Sequence, residues 1–234
     1  MNYHRDKDYL ANEKLFKNVF QKRFNLICKH LGGGLGLPRG GKCLEIGCSN
    51  GVFLDLFTGC ETWGIEPSES GEIARKKGHK IIKDYFEKAK LPENYFDLVI
   101  LNHVLEHLDN PTAVLAKVHK LLKPNGILFV DVPNAGGLGS KILGKHWPYL
   151  LPLEHKHQFT KESLTKLLHK AGFEVVHWQS RSGIFEYANP LKELGRKRFL
   201  FDLFAIPYSL SATLLGMGDS MSFVAKKKGW RSHF

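Results

Sequence analysis

The sequence predicts an α/β fold, a doubly wound and mostly parallel sheet with helices on both faces. Residues 42–54 begin as a short apolar strand, break into a turn of small residues, and resume with the apolar spacing of a helix. Residues 95–101 form a nearly continuous apolar run, which is typical of a strand buried on both faces of a sheet. Further strands at 62–66 and 79–82 and an amphipathic helix at 111–122 continue the alternation that βαβ units produce.

The length and composition indicate a single domain. The chain has 234 residues, of which 43% are hydrophobic and 24% charged, enough to bury a substantial core. The N-terminus lacks the apolar core of a signal peptide. We expect a cytoplasmic protein with reduced thiols, because the cysteines match neither a zinc-binding spacing nor a Cys-x-x-Cys pair: Cys28, Cys43, Cys48 and Cys60. The formal net charge of +11 suggests an anionic partner, and nucleic acid, phospholipid and phosphorylated substrates all stay open.

The turn after the first strand has the spacing Glu45-x-Gly47-x-x-x-Gly51. A turn at the carboxyl end of such a strand is where open α/β sheets bind nucleotide-like ligands. The two glycines let the backbone approach a ligand closely, because neither carries a Cβ. The spacing is not the Gly-x-Gly-x-x-Gly of dinucleotide-binding folds. A carboxylate two residues upstream would repel a pyrophosphate and would suit a ligand that carries positive charge.

Here the chain resembles the class I S-adenosylmethionine-dependent methyltransferases. Their first motif, to which residues 45–51 are similar, wraps the methionine end of the cofactor. The resemblance implies a Rossmann-like fold of seven strands with the last one antiparallel, and S-adenosyl-L-methionine as the cofactor. It also implies that cofactor-binding residues lie in the turn: Glu45, Gly47, Cys48, Ser49 and Gly51.

Two further acids fall where the family places them. Glu66 follows Glu45 by 21 positions, near the spacing at which Rossmann-like folds place an acid for the ribose hydroxyls, and Pro67 comes directly after it. Asp84, with Tyr85 beside it, ends the third strand and resembles the position that recognises adenine. We therefore predict that both acids bind the cofactor.

Asn102 and His103 open a segment that resembles the fourth motif, so they should lie beside the methionine portion of the cofactor. His103, Glu106 and His107 would share one face of a helix, which raises the question of a metal site. Some quinone-biosynthesis relatives carry a Glu at the position of His103, where a divalent cation is plausible. A histidine suits magnesium poorly. We expect Glu106 and His107 to brace the loop by hydrogen bonds, and we assign no metal ligands. The resemblance covers about residues 42–134.

Residues 135–161 interrupt the strand–helix rhythm, and a loop of this length is usually functional. Its pattern resembles one branch of the family, the O-methyltransferases of quinone biosynthesis and of surface-polysaccharide gene clusters. Methyl transfer to a hydroxyl requires a positioned acceptor and is helped by a base. His155 is our first candidate for that base and His157 the second; the alternative is that they fix the loop to the domain.

We expect one methyltransferase domain over 1–234, with an N-terminal helical segment at 1–34 whose basic face is solvated. Two cap segments, 135–160 and 184–217, should cover the active site. Residues 199–215 approach the length of a membrane span, but an acidic residue and a proline interrupt them, and the chain must return to the same sheet. We therefore predict no transmembrane span and leave peripheral membrane contact open.

The function that these observations favour is S-adenosylmethionine-dependent methylation, most readily of oxygen on a small, sugar-linked or lipid-linked acceptor. The positive charge keeps a nucleic-acid methyltransferase as an alternative. A non-catalytic binding protein on the same fold is a second alternative. A nicotinamide-dependent oxidoreductase is disfavoured by the missing third glycine and by Glu45.

Overall fold

The computed structural model describes residues 13–31, 37, 39–182 and 199–228. These residues form one sheet of seven strands in the order β3-β2-β1-β4-β5-β7-β6. In chain order the strands are β1 Lys42–Ile46, β2 Glu61–Ile65, β3 Lys80–Ile82, β4 Phe96–Asn102, β5 Leu122–Pro133, β6 Phe173–Arg181 and β7 Ser220–Lys227. The first twelve residues of the predicted N-terminal segment, and 184–198 of the second cap segment, lie outside the described residues.

The pairing of the strands confirms the predicted fold class. The pairs β1–β2, β1–β4, β2–β3 and β4–β5 are parallel, whereas β7 runs antiparallel to both β5 and β6. The strand order reverses between β1 and β4, and the crevice at such a switch point is where open α/β sheets bind ligands. The fold therefore places a ligand site beside the carboxyl ends of β1 and β4.

Helices cover both faces of the sheet. Their bounds are α1 Glu13–His30, α2 Ser70–Lys76, α3 Pro111–Leu121, α4 Leu138–Leu143, α5 Lys161–Lys170 and α6 Phe199–Leu214. On one face, α3 and α5 pack on alternate residues of β1, β4 and β5, such as Leu44 and Val99. On the other face, α1 packs on the intervening residues, such as Cys43 and Ile100. Two apolar cores thus hold the central strands from both sides.

The prediction of a helix after the glycine turn is wrong. The chain forms only a single 3₁₀ turn at Leu54–Leu56. The apolar residues that suggested a helix are buried together instead, with Phe53 stacked on Phe20 of α1 and packed near Phe57. Because Val52, Phe53 and Leu54 are all buried, this segment has no solvent-facing side, and the amphipathic helix that the spacing suggested does not form.

Asp219 fixes the segments after β5 and before β7 to each other. Its carboxylate accepts hydrogen bonds from Trp147 Nε1 (3.2 Å), from Tyr208 Oη (3.1 Å) and from the Ser182 hydroxyl. Trp147 belongs to the loop after α4, whereas Tyr208 belongs to α6. No helix in the described part of the chain is long and apolar enough to span a membrane.

Candidate active site

The glycine turn after β1 is held against the neighbouring loops. Gly47 has φ +72° and Gly51 has φ +77°, values that side chains rarely allow. A Cβ on Gly47 would lie 2.7 Å from Cγ2 of Val104, and one on Gly51 would lie 2.9 Å from Cβ of Ala74. The sequence needs glycine at both positions, because the turn adopts a left-handed backbone where other chain segments leave no space.

Glu66 follows β2 and is held by the backbone of its neighbours. Its Oε2 accepts the N–H of Ser49 at 2.9 Å, and its Oε1 accepts the N–H of Ser68 at 2.9 Å. Each carboxylate oxygen has a second lone pair, so the side chain can still accept two hydroxyl protons. The bond to Ser49 also ties the glycine turn to the end of β2.

The segment after β3 supplies the predicted adenine side. Asp84 Oδ1 accepts the N–H of Tyr85 at 2.7 Å, and the Tyr85 side chain is exposed. Lys117, on α3, donates to the carbonyls of Phe86 (2.5 Å) and Ala89 (2.8 Å). This lysine, which the sequence did not suggest, therefore fixes the loop that carries Asp84.

The end of β4 carries a buried polar network. His103 has φ +54° although it is not glycine. Its Nδ1 lies 3.3 Å from Glu106 Oε1 and its Nε2 lies 3.2 Å from Asp131 Oδ1. Burial opposes a charge on His103, but the hydrogen bonds to Asp131 and Glu106 outweigh burial and raise its pKa.

Arg23 completes this network from α1. Its guanidinium donates to Asn102 Oδ1 (2.8 Å) and to Asp131 Oδ1 (2.7 Å), and all three residues are buried. Asp131 also accepts the hydroxyls of Ser220 (3.0 Å) and Ser222 (2.5 Å). Burial opposes ionisation of Asp131, but Arg23 and then His103 lower its pKa to about 2. The expectation of a solvated basic face on the N-terminal helix is wrong for Arg23.

A cavity of about 280 Å³ opens along the carboxyl ends of β1, β2 and β4. Eight of the predicted cofactor residues line it: Gly47, Ser49, Glu66, Pro67, Asp84, Tyr85, Asn102 and His103. Three others do not, namely Glu45, Cys48 and Gly51. The glycine turn, both acids and the end of β4 therefore meet in one place, and that they bind the cofactor stays a prediction.

The geometry explains why Glu45 and Cys48 lie outside the cavity lining. Glu45 shares the face of β1 with Cys43, which packs under α1, and one carboxylate oxygen is buried without a hydrogen-bond partner among the described residues. Burial first, and then the Glu66 carboxylate, raise the pKa of Glu45 well above its usual range. Cys48 is buried against β2, where a Cβ on Gly64 would lie 3.1 Å from its Cβ. Both side chains support the turn from behind.

The two histidines proposed as bases lie next to the cavity and do not line it. His155 is buried, its Nδ1 donates to the carbonyl of Tyr149 (2.8 Å), and its ring packs edge-on to His107 at 4.7 Å. Burial lowers the pKa of His155. The ring of His157 stacks on Phe159, and the backbone N–H of His157 donates to the backbone carbonyl of Glu106 at 3.1 Å. Of these three neighbouring histidines, it is His107 that lines the cavity.

Sequence reasoning missed a pair of charges at the cavity mouth. Lys156 Nζ lies 2.5 Å from Asp109 Oδ1, and both residues line the cavity. Lys156 belongs to the predicted cap segment 135–160, whereas Asp109 follows the fourth motif. The two are 47 positions apart, and the only signal in the sequence was that both flank predicted site segments.

Glu106, His107 and His155 form a cluster that the sequence did not predict. One potential ligand atom from each lies within 4.8 Å of the others. Oε2 of Glu106 is buried and has no hydrogen-bond partner among the described residues. The Nδ1 atoms of His107 and His155 bond to backbone carbonyls, an arrangement common in metal-ligating histidines. These three could hold a cation such as Zn²⁺ or Mn²⁺, since imidazole suits Mg²⁺ poorly. A bound cation would occupy the lone pair that His155 needs as a base, and the expectation of no metal ligands stays a prediction.

Comparison with known proteins decides the family. Residues 19–178 match the model of the methyltransferase domain family, which is more than half of the chain. The chain belongs to this family. A ubiquinone biosynthesis O-methyltransferase from Photobacterium profundum is 30% identical over 122 residues, covering 48% of this chain and 50% of the relative. The chain thus spans about half the length of this curated relative.

Solved structures show the same fold. A methyltransferase dependent on S-adenosylmethionine from Archaeoglobus fulgidus superposes with a TM-score of 0.63 at 22% identity, covering 94% of this chain and 99% of that one. A 1,6-didemethyltoxoflavin N1-methyltransferase from Burkholderia thailandensis, solved with S-adenosylhomocysteine, has a TM-score of 0.62 at 19% identity and covers 97% and 84%. By family the chain carries a methyltransferase domain, and its fold is the one found in these S-adenosylmethionine-dependent methyltransferases.

Proposed function

We propose that this chain binds S-adenosylmethionine in the cavity and transfers its methyl group to an oxygen of a small, sugar-linked or lipid-linked acceptor. The observation that carries the proposal is the convergence of the glycine turn, Glu66, Asp84 and Asn102 on one cavity at the switch point of the sheet. The relative from Photobacterium is named as an O-methyltransferase, which favours oxygen over nitrogen.

In this proposal each subsite binds one part of the cofactor. Glu66 accepts the ribose hydroxyls, because its oxygens retain lone pairs beside the two backbone bonds. Asp84 and Tyr85 contact the adenine at the outer end of the cavity. The methionine end lies at Gly47 and Asn102, close to the first and fourth motifs.

For methyl transfer to a hydroxyl, the protein needs to position the acceptor beside the cofactor and to supply a base. The acceptor oxygen forms a bond to the methyl carbon while the carbon–sulfur bond breaks, leaving S-adenosylhomocysteine, and the hydroxyl proton must leave. His155 is the proposed base, with His157 as the second candidate. Burial lowers the pKa of His155, so its neutral form, which can accept a proton, dominates near neutral pH. His155 lies behind His107, with the two ring centroids 4.7 Å apart, so in this proposal its access to the acceptor proton depends on His107.

The decisive experiment is calorimetric titration with S-adenosylmethionine and S-adenosylhomocysteine. Glu66→Ala should weaken both by at least about tenfold, since two charge-assisted hydrogen bonds to the ribose are lost. Glu69→Ala is the matched control, because this exposed acid bonds to Lys83 and does not line the cavity. Equal affinity in wild type and Glu66→Ala would contradict the assigned subsite. Production of S-adenosylhomocysteine is then followed with a panel of hydroxylated acceptors, in wild type and in His155→Gln.

Nucleic acid remains the second candidate acceptor because of the net charge of +11. Binding of RNA or DNA that weakens steeply with salt, together with methylation of it, would favour that acceptor. Cofactor binding without turnover of any acceptor would support a non-catalytic binding protein on the methyltransferase fold.

A further inference from the structure

The large apolar side chains that are exposed in the described part of the chain are concentrated in two segments. Seven of ten lie in 142–153 and 210–215, and the other three are Ile73, Tyr85 and Val176. The exposed fraction is 99% for Leu153, 76% for Leu214, 67% for Leu215 and 66% for Ile142. We call these seven residues the apolar rim: Ile142, Leu143, Leu151, Leu153, Leu210, Leu214 and Leu215.

Backbone and side-chain bonds hold the two segments of the apolar rim to each other. The N–H of Leu138, at the start of α4, donates to the carbonyl of Met217 at 2.7 Å. A Cβ on Gly139 would lie 2.7 Å from Oη of Tyr208, so α4 packs directly on α6. The bonds of Trp147 and Tyr208 to Asp219 add a second connection. The apolar rim is therefore a fixed surface of the protein.

The helices α4 and α6 bury some of their side chains against the domain and expose others that belong to the apolar rim. Ser209 and Ala212 of α6 and Gly139 of α4 are buried, whereas Leu210 and Leu214 of α6 point outward. An exposed leucine side chain does not gain the stabilisation that burial of its apolar surface would give. Clusters of such residues mark surfaces that another apolar phase covers.

The charge beside the apolar rim is positive. Within 138–156 the charged residues are Lys141, Lys145, Lys156 and one acid, Glu154, and all four are exposed. Lys156 is paired with Asp109, so the positive charge beside the rim comes from Lys141 and Lys145. Residues 207–217 carry no charge. Two copies of the chain that met through this surface would bring their lysines together, which disfavours a symmetric dimer. Apolar residues flanked by lysine are instead the composition that binds the interface of an anionic lipid bilayer.

We propose that the apolar rim docks this protein on an anionic phospholipid surface. Leu153 lies three residues before Lys156, which lines the cavity, so docking would place the cavity mouth at the bilayer. A lipid-linked acceptor could then reach the cofactor without leaving the membrane. This last step rests on the proposed function, whereas the docking itself does not.

The test is co-sedimentation of the full chain with vesicles of phosphatidylcholine alone and of phosphatidylcholine with phosphatidylglycerol. We expect binding to the anionic vesicles that weakens with salt. The variant Ile142→Asp with Leu153→Asp should bind at least about tenfold more weakly, because it places two charges where apolar groups insert. The matched control is Ile73→Asp with Val176→Asp, which changes two exposed apolar residues outside both segments of the rim and should bind as wild type does.

The charge contribution is tested separately. Lys141→Glu with Lys145→Glu should also reduce binding by about tenfold or more, since each lysine near an anionic surface contributes about fivefold. Lys166→Glu with Lys170→Glu, on α5, gives the same change of net charge elsewhere and should have little effect. Titration with S-adenosylhomocysteine should be unchanged in every variant, which separates failure of docking from failure of the proposed function.

Three results would overturn the proposal. The first is that the wild type fails to bind the anionic vesicles, and the second is that the rim variants bind as tightly as their controls. The third is a concentration-dependent dimer in light scattering that Leu153→Asp dissociates, which would make a second copy of the chain the occupant of the rim.

Discussion

Replacement of Arg23 by methionine should destabilise the protein far more than its place on an N-terminal helix suggests. Arg23 bonds to Asp131 at 2.7 Å, and Asp131 is fully buried. Removing one partner of a buried ion pair typically costs about 3–5 kcal/mol, because the other charge stays buried. Ser220 and Ser222 still reach Asp131, so we expect the lower end, about 3 kcal/mol.

Urea unfolding measures this loss, and Arg75, an arginine that is exposed, provides the control. Arg75 pairs with Glu72 at 2.6 Å, but both side chains are more than a third exposed. Arg75→Met should therefore cost no more than about 1 kcal/mol. Adding Asp131→Asn to Arg23→Met should recover part of the loss, because a buried amide needs no counter-charge.

The same variant should also affect the cofactor site. Arg23 donates to Asn102, which lines the cavity, so its loss frees the side chain of Asn102 to rotate. We expect affinity for S-adenosylhomocysteine to fall about fivefold, the equivalent of one hydrogen bond. The reasoning is refuted if Arg23→Met and Arg75→Met lose the same stability and bind the cofactor equally well.

Four further outcomes follow from contacts of the described residues. The carboxyl of Asp131 has a pKa of about 2 in the folded state and an ordinary pKa of 3.8, which corresponds to about 2.5 kcal/mol of folding stability. This stability is present above pH 4 and is lost as the pH falls towards 2. Acid unfolding of wild type and of Asp131→Asn should therefore differ between pH 4 and pH 2. Lys117→Met should weaken S-adenosylhomocysteine binding by about fivefold in calorimetry, since it releases the loop that carries the proposed adenine subsite. Gly51→Ala should lower stability by more than about 1 kcal/mol in urea, because φ is +77° and Ala74 lies within 2.9 Å of the new Cβ. Zn²⁺ or Mn²⁺ should raise the melting temperature of wild type and leave Glu106→Gln unchanged, whereas Mg²⁺ should have little effect on either.

The strands were predictable because their patterns report burial directly. The apolar run that became β4 is buried on both faces, and a run of that length bounded by polar residues is typical of a central strand. The segment after the glycine turn was not predictable in the same way. Val52, Phe53 and Leu54 continue a helical spacing, but all three are buried beside α1, and spacing alone cannot distinguish a fully buried turn from one face of a helix.

Arg23 could not be identified from its own segment, because it is one of several basic residues on α1. Its partners Asn102 and Asp131 follow it by 79 and 108 positions, so the contact depends on how α1 packs on the sheet. The available signal was in β5. Asp131 is the one acid in an apolar strand, and a buried carboxylate requires a cationic or hydrogen-bonding partner somewhere in the chain.

Glu45 shows that a match to a family motif does not by itself tell which way a side chain points. The motif places Glu45 two residues before Gly47, but side chains alternate along a strand, and Glu45 points to the α1 side of β1. Glu66 and Asp84 come after their strands have ended, where the backbone turns towards the cavity, and both line it. Position relative to the end of the strand therefore decides which acids of these motifs line the cavity.

The acceptor side depends on contacts between distant segments, which is why it was the least predictable part of the site. The loop 135–160 contacts the fourth motif at four points: the backbone bond from His157 to Glu106, the bond from His107 Nδ1 to the carbonyl of Glu154, the packing of His155 on His107, and the ion pair of Lys156 with Asp109. These four contacts include neither Glu66 nor the glycine turn. Changes in this loop can thus alter the acceptor while the cofactor subsites keep their geometry, so substitutions there should affect turnover of particular acceptors and leave S-adenosylhomocysteine binding intact.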